Sequence, residues 1–144
     1  MENRIEGGRF EQEMSRKLAE SGFWAHVMQQ NKAGQPADII AVKGKYHTLI
    51  DCKVMSSDVF PFRRVEENQD LAMKRFSDRG RYSCWFALKY PDGTVRMLNA
   101  TDVSILQAKG YQSLTKSLQQ KWTLGLKEWL ASAERFAGGS GGAE

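Results

Sequence analysis

The strongest constraint on this chain is an alternation of charge inside two apolar runs. Asp51-Cys52-Lys53 lies near the end of the run Tyr46 to Val54, and Pro36-Ala37-Asp38 opens the run Ile39-Ile40-Ala41-Val42, with twelve residues between Asp38 and Asp51. Side chains alternate faces along a strand. Asp51 and Lys53 therefore share one face, and Cys52 points into the opposite layer. Lys43-Gly44-Lys45 predicts a tight turn, so the two runs predict a β-hairpin. Asp38 then stands at the mouth of the strand beside Asp51, and two carboxylates and one ammonium converge at one end of a sheet.

Converging carboxylates repel unless something positive lies between them. A hard divalent cation with oxygen ligands meets that need, and magnesium takes few protein carboxylates. A cation held there makes water a better nucleophile. Lys53 is placed to orient that water or to stabilise charge on a phosphate, and the Cys52 carbonyl is a further ligand. The plain alternative is that Asp38 caps a strand end while Asp51 and Lys53 form a surface ion pair, since a lone D-x-K is common.

The remaining elements follow from periodicity and turn chemistry. Phe10, Met14 and Leu18 recur every four residues, predicting a helix over about Arg9 to Ser21, preceded by Gly7-Gly8 and stopped by Gly22. Glu11 flanks that apolar stripe. Phe23 to Met28 reads as a strand and Gln29 to Gln35 as a loop. Met55 to Arg64 reads as irregular, and Val65 to Arg79 as a helix whose face Val65, Gln69, Ala72 and Phe76 turns to the sheet. A glutamine on such a face is either an ordinary buried amide bonded to backbone or part of the site. Strands Tyr82 to Lys89 and Thr94 to Leu98 flank the Pro91-Asp92-Gly93 turn.

Thr101 to Ala108 predicts a short helix capped by Thr101 or Asp102. A last helix is expected from about Lys121 to Phe136, with Trp122, Leu126, Trp129, Leu130 and Ala133 at helical spacing. Its aromatic residues form either core or a dimer interface. Trp24, Trp85 and Phe86 are expected to pack the sheet faces. The order predicts an α/β domain, a central mixed sheet flanked by helices, spanning 1–137 and followed by a flexible glycine-rich tail at 138–144.

Composition excludes little but agrees. A chain of 144 residues fits one domain. Its net charge of +4 leans toward a polyanionic partner without naming one. No apolar run reaches the roughly 18 residues a membrane helix needs. The charged start Met1-Glu2-Asn3-Arg4-Ile5-Glu6 lacks an apolar signal region, so a cytoplasmic protein is expected. Cys52 and Cys84 lack paired ligand spacing and read as reduced, buried thiols.

Together, Pro36, Asp38, Asp51 and Lys53, with Glu11 in Gly7-Gly8-Arg9-Phe10-Glu11, resemble the signature of the PD-(D/E)xK nuclease superfamily. Phe60-Pro61-Phe62-Arg63-Arg64-Val65-Glu66-Glu67-Asn68-Gln69 is similar to the segment after the lysine in the RecU family of Holliday junction resolvases. The likeness spans roughly Gly7 to Leu98. RecU proteins usually carry glutamate where this chain has Asp51. They also carry a long stalk, for which the Lys43-Gly44-Lys45 turn leaves little room; archaeal resolvases of the superfamily are similarly compact.

The resemblance implies a restriction-endonuclease-like fold and a Mg²⁺-dependent endonuclease, with Mn²⁺ able to substitute. It implies a homodimer that makes paired nicks in four-way DNA junctions during recombination and repair. Its catalytic set would be Glu11, Asp38, Asp51, Lys53 and Gln69. The metal would be held by Asp38, Asp51, the Cys52 carbonyl and Glu11, the last directly or through water. Phosphate contacts would come from Lys43 and Lys45 at the hairpin turn and from Ser57, Arg63, Arg64, Lys74 and Arg75. Each of these can equally be a solvated charge, and Ser57 a turn residue. Rival readings are a duplex or flap nuclease of the same superfamily and a non-catalytic DNA-binding protein of the same fold.

Overall fold

The computed structural model describes residues 2–29, 37–77 and 83–139. Its middle layer is a six-stranded sheet in the order β1-β2-β3-β5-β6-β8. These strands are β1 (Trp24–Val27), β2 (Ile39–Lys43), β3 (Tyr46–Val54), β5 (Ser83–Lys89), β6 (Val95–Asn99) and β8 (Thr123–Gly125). A separate ribbon pairs β4 (Phe60–Pro61) with β7 (Ser113–Leu114). The helices are α1 (Glu2–Glu20), α2 (Glu67–Ser77), α3 (Ala100–Ala108), α4 (Lys116–Trp122) and α5 (Leu126–Glu134).

The sheet is mixed. β3 and β5 run parallel, and the other neighbours are antiparallel. Parallel neighbours need a crossover, and α2 lies within it. The predicted hairpin forms with Lys43 opposite Tyr46 and Ile39 opposite Ile50. Gly44 takes φ +57° at its turn, where a Cβ would meet the Ala137 carbonyl oxygen at 2.7 Å.

Alternation on the strands builds two cores. Ile39, Ala41, Ile50 and Ala87 meet Phe10, Met14 and Leu18 of α1 and Trp129 and Ala133 of α5 on one face. Leu49, Cys84, Phe86 and Leu88 meet Met73 of α2 and Val103 and Leu106 of α3 on the other. Cys52 packs with the first core and so lies opposite Asp51 and Lys53, as the period of two requires. Gly22 ends α1 with φ +91°, and the Phe23 amide bonds back to the Leu18 carbonyl at 3.0 Å, the glycine-ended helix stop expected there.

Several expectations need correction. Gly7 and Gly8 lie inside α1 instead of preceding it, because the charged segment before them is itself helical. Asn99, not Thr101 or Asp102, caps α3, its side chain accepting from the Thr101 amide at 2.8 Å. The segment 55–64 contains β4 and a 3-10 turn over Phe62–Arg64. The last predicted helix is two helices separated by β8, which supplies β6 with an edge partner. Trp122 therefore packs against one core and Trp129 lies in the other, although their spacing reads as one helical face. Trp24 is 60% exposed on the edge strand, stacked on His26, instead of packing a sheet face. Pro36, the loop residues 30–35, Arg79 and Tyr82 lie outside the described residues, as does most of the glycine-rich tail.

Candidate active site

The hairpin register decides what meets at the open end of β2 and β3. The Asp38 amide bonds to the Ile50 carbonyl at 3.0 Å, which places Asp38 beside the segment entering Asp51. Asp38 Oδ2 then accepts from the Cys52 backbone N–H at 2.7 Å. Both acids are buried, Asp38 at 7% and Asp51 at 1% exposure. The Lys53 ammonium stands 2.9 Å from Asp51 Oδ2. Gln69, turned inward from α2 and buried, donates through Nε2 to Asp51 Oδ1 at 2.7 Å.

The electrostatics of this pocket are unbalanced. Burial pushes Asp51 well above the usual carboxylate range. Lys53 pulls it down, while Asp38 pushes it up through charge and a shared hydrogen bond. Glu11, carried on α1, is pushed up to about 7 by burial and then by Asp38. Burial and then the carboxylates of Asp38, Asp51 and Glu11 raise the Cys52 thiol as well. Among the described residues, Lys53 is the positive side chain that acts on Asp51 against this excess.

Two buried acceptor atoms are left over. Asp51 Oδ2 is ion-paired with the Lys53 ammonium at 2.9 Å and has no hydrogen-bond partner among the described residues. Gln69 Oε1 likewise has no hydrogen-bond partner among the described residues. A buried acceptor without a partner costs roughly 1–3 kcal/mol. Excess negative charge and open oxygens are what a hard cation with its water shell compensates, so the residues present fit a divalent metal. Among the described residues no three His, Cys, Asp or Glu side chains form a cage by themselves.

The predicted phosphate contacts are spread more widely. Arg64 donates to the Val54 carbonyl at 3.2 Å and touches Met55 Sδ at 3.5 Å, directly beyond Lys53. Arg63 and Ser57 are exposed on the same segment, and Ser57 Oγ accepts from the Val59 amide at 3.2 Å. Arg75 is exposed on α2, and Lys74 pairs with Asp70 at 3.0 Å. Lys43 and Lys45 sit at the opposite end of the hairpin, five residues along β2, roughly 17 Å away. Lys43 bonds Glu134 and the Ser21 carbonyl there.

Sequence reasoning missed Glu13, which bonds Lys89 at 2.8 Å and Lys17 at 3.0 Å and so ties α1 to β5 close to Glu11. Its i,i+4 spacing to Lys17 was a visible signal; the link to Lys89 was not.

A mixed sheet between helix layers, with an acid at the head of one strand and D-x-K at the end of its hairpin partner, defines a PD-(D/E)xK-type nuclease. The family model for archaeal Holliday junction resolvases (Hjc) matches residues 2–135. The chain belongs to that family, the compact archaeal kind of resolvase. It is an endodeoxyribonuclease specific for branched DNA, and resolvases of this family depend on divalent metal. Among solved structures, Hjc of Archaeoglobus fulgidus, a Holliday junction resolvase from an archaeal hyperthermophile, shares the fold with TM-score 0.68 at 20% identity. That match covers 86% of this chain and 99% of the other. No curated protein sequence matches the chain. Among the described residues no helix is long and apolar enough to cross a membrane.

Proposed function

We propose that the chain cuts four-way DNA junctions with Mg²⁺ held by Asp38, Asp51 and the Cys52 carbonyl, Glu11 completing the shell directly or through water. The observation that carries this reading is the buried pair Asp51 and Asp38, two carboxylates at one end of the sheet with a single ammonium, Lys53, at 2.9 Å from Asp51 Oδ2. A bound cation supplies Lewis acidity, easing deprotonation of water and screening the scissile phosphate. Lys53 positions the attacking water or stabilises charge developing on the phosphate. Gln69 fixes the Asp51 carboxylate and offers Oε1 to water at the site. Mn²⁺, with similar oxygen chemistry, substitutes.

Arg63, Arg64, Arg75 and Ser57 bind phosphates near the cut, with Lys74 contributing once released from Asp70. Lys45, and Lys43 in part, meet a more distant arm. The active form is a homodimer, because paired nicks in a two-fold junction need two equivalent sites.

The test is incubation of the protein with labelled four-way junction, flap and duplex DNA and Mg²⁺, beside sedimentation analysis. Symmetric nicks at the branch, made by a dimer and lost in Asp51→Ala without loss of junction binding, are expected. Normal cutting by Asp51→Ala overturns the site assignment, and preferential duplex cutting overturns the junction reading.

A further inference from the structure

A groove of about 790 Å³ lies between the loop leaving β3 and the turn after α3. One wall carries Ser57, Val59 and Arg63; the other carries Gln107, Tyr111 and Gln112. The β4–β7 ribbon joins the walls, and the Phe62 amide bonds to the Gln112 carbonyl at 3.0 Å, so the opening is fixed by backbone pairing. Val59 and Tyr111, at 39% and 45% exposure, are two of the few large apolar side chains that the described residues leave in solvent. Among the described residues no carboxylate lines the groove. Asp58, between Ser57 and Val59 in sequence, faces Lys116 instead, at 3.7 Å.

An aromatic ring, a guanidinium and two carboxamides, with no acid among them, form a set suited to a nucleobase and its phosphate. The ring stacks with any base, the amides meet base edges, and the arginine meets the backbone. The segment that lines the groove is also tied to the end of β3 that carries Lys53. Ser57 follows Lys53 by four residues, and Arg64, next to Arg63, is bonded to the carbonyl of Val54. At a branch point a base has lost part of its stacking, so drawing it out costs less than in duplex.

We propose that this groove receives one unstacked base of the strand being cut, with Tyr111 as the stacking face and Arg63 on the adjoining phosphate. The proposal rests on the junction-cutting reading and adds a contact that selects branched over duplex DNA.

The experiment uses a four-way junction carrying 2-aminopurine beside the branch, with Ca²⁺ in place of Mg²⁺ so that DNA stays uncut. Wild type and Tyr111→Phe are expected to change the 2-aminopurine fluorescence on binding. Tyr111→Ala is expected to abolish that change and weaken junction binding roughly ten- to hundredfold, with duplex affinity unchanged. Tyr111 is exposed, and circular dichroism checks that the variant folds. A Tyr111→Ala protein with wild-type fluorescence and affinity overturns the groove, while junction cutting by wild type leaves the proposed site standing. Wild type that neither binds nor cuts junctions brings down both.

Discussion

Gln69 holds Asp51 from the far side of the pocket: its Nε2 donates to Oδ1 at 2.7 Å, leaving Oδ2 to face Lys53. One carboxylate oxygen is thereby committed to protein and the other kept for the site. Partners that orient a metal-binding carboxylate typically matter by about 10–100-fold in metal affinity or activity. Gln69→Ala is expected to lower junction cleavage by about that factor and to raise the Mg²⁺ concentration for half-maximal rate. Junction affinity measured in Ca²⁺ should not move. Unchanged metal dependence would make Gln69 an ordinary buried amide.

Asp51→Asn separates function from stability. The carboxylate is buried and its ionised form is disfavoured, so a neutral amide of the same shape removes a burden from the metal-free protein. The variant is expected to lose cleavage entirely, yet melt at a higher temperature than wild type in EDTA at pH 8. Retained cleavage, or a lower melting temperature, contradicts this account of the site.

The raised acids also fix a pH dependence. Glu11 is pushed up from 4.5 to about 7, and Asp51 is raised in the same direction. Between those values the folded metal-free chain holds more protons than the unfolded one, so stability falls as pH rises. Glu13 is shifted down, and its contribution is lost only below the ordinary glutamate range, outside this window. Scans in EDTA should therefore show melting temperature falling from pH 5 to pH 8. Added Mg²⁺ should restore it most at pH 8, where the carboxylates are ready to bind. A flat or rising profile in EDTA counts against the raised pair.

The hairpin and its charges were legible because period-two alternation, a Lys-Gly-Lys turn and an acid at a strand mouth are local signals. Gly22 and the Pro91-Asp92-Gly93 turn were legible for the same reason, since each needs a backbone conformation that few residues adopt. The break at Thr123–Gly125 was not. Trp122, Leu126 and Trp129 keep helical spacing, and only the unpaired edge of β6, a tertiary demand, draws Thr123 opposite Leu98. Trp24 misled because a large aromatic predicts burial, whereas β1 lies at the edge of the sheet and turns that ring outward. Within the site, the acids and the lysine were readable from spacing. The bond from Cys52 to Asp38 and the open oxygens of Asp51 and Gln69 depend on relative placement that no spacing encodes.

The arginines should separate from the lysines by how far each charge is already engaged. Arg64 is exposed and bonded to the Val54 carbonyl and the Met55 sulfur, with no carboxylate among those contacts, so its charge remains available to a phosphate beside Lys53. Lys74 shares Asp70 four residues earlier on α2, and Lys43 shares Glu134. Each phosphate contact removed lowers the salt dependence of binding by about one unit of slope and weakens binding uniformly across sequences. Arg64→Ala is expected to do both, in titrations with uncut junction at several salt concentrations. Lys74→Ala should have a smaller effect, because binding through Lys74 must first displace its partner. Lys43→Ala should lower the slope by less than Arg64→Ala, as a partly engaged charge would, and also lower the melting temperature, since it removes a tie between β2, α5 and the end of α1. Equal slopes for Arg64→Ala and wild type would take Arg64 out of the DNA surface and leave it as a clasp on the end of β3.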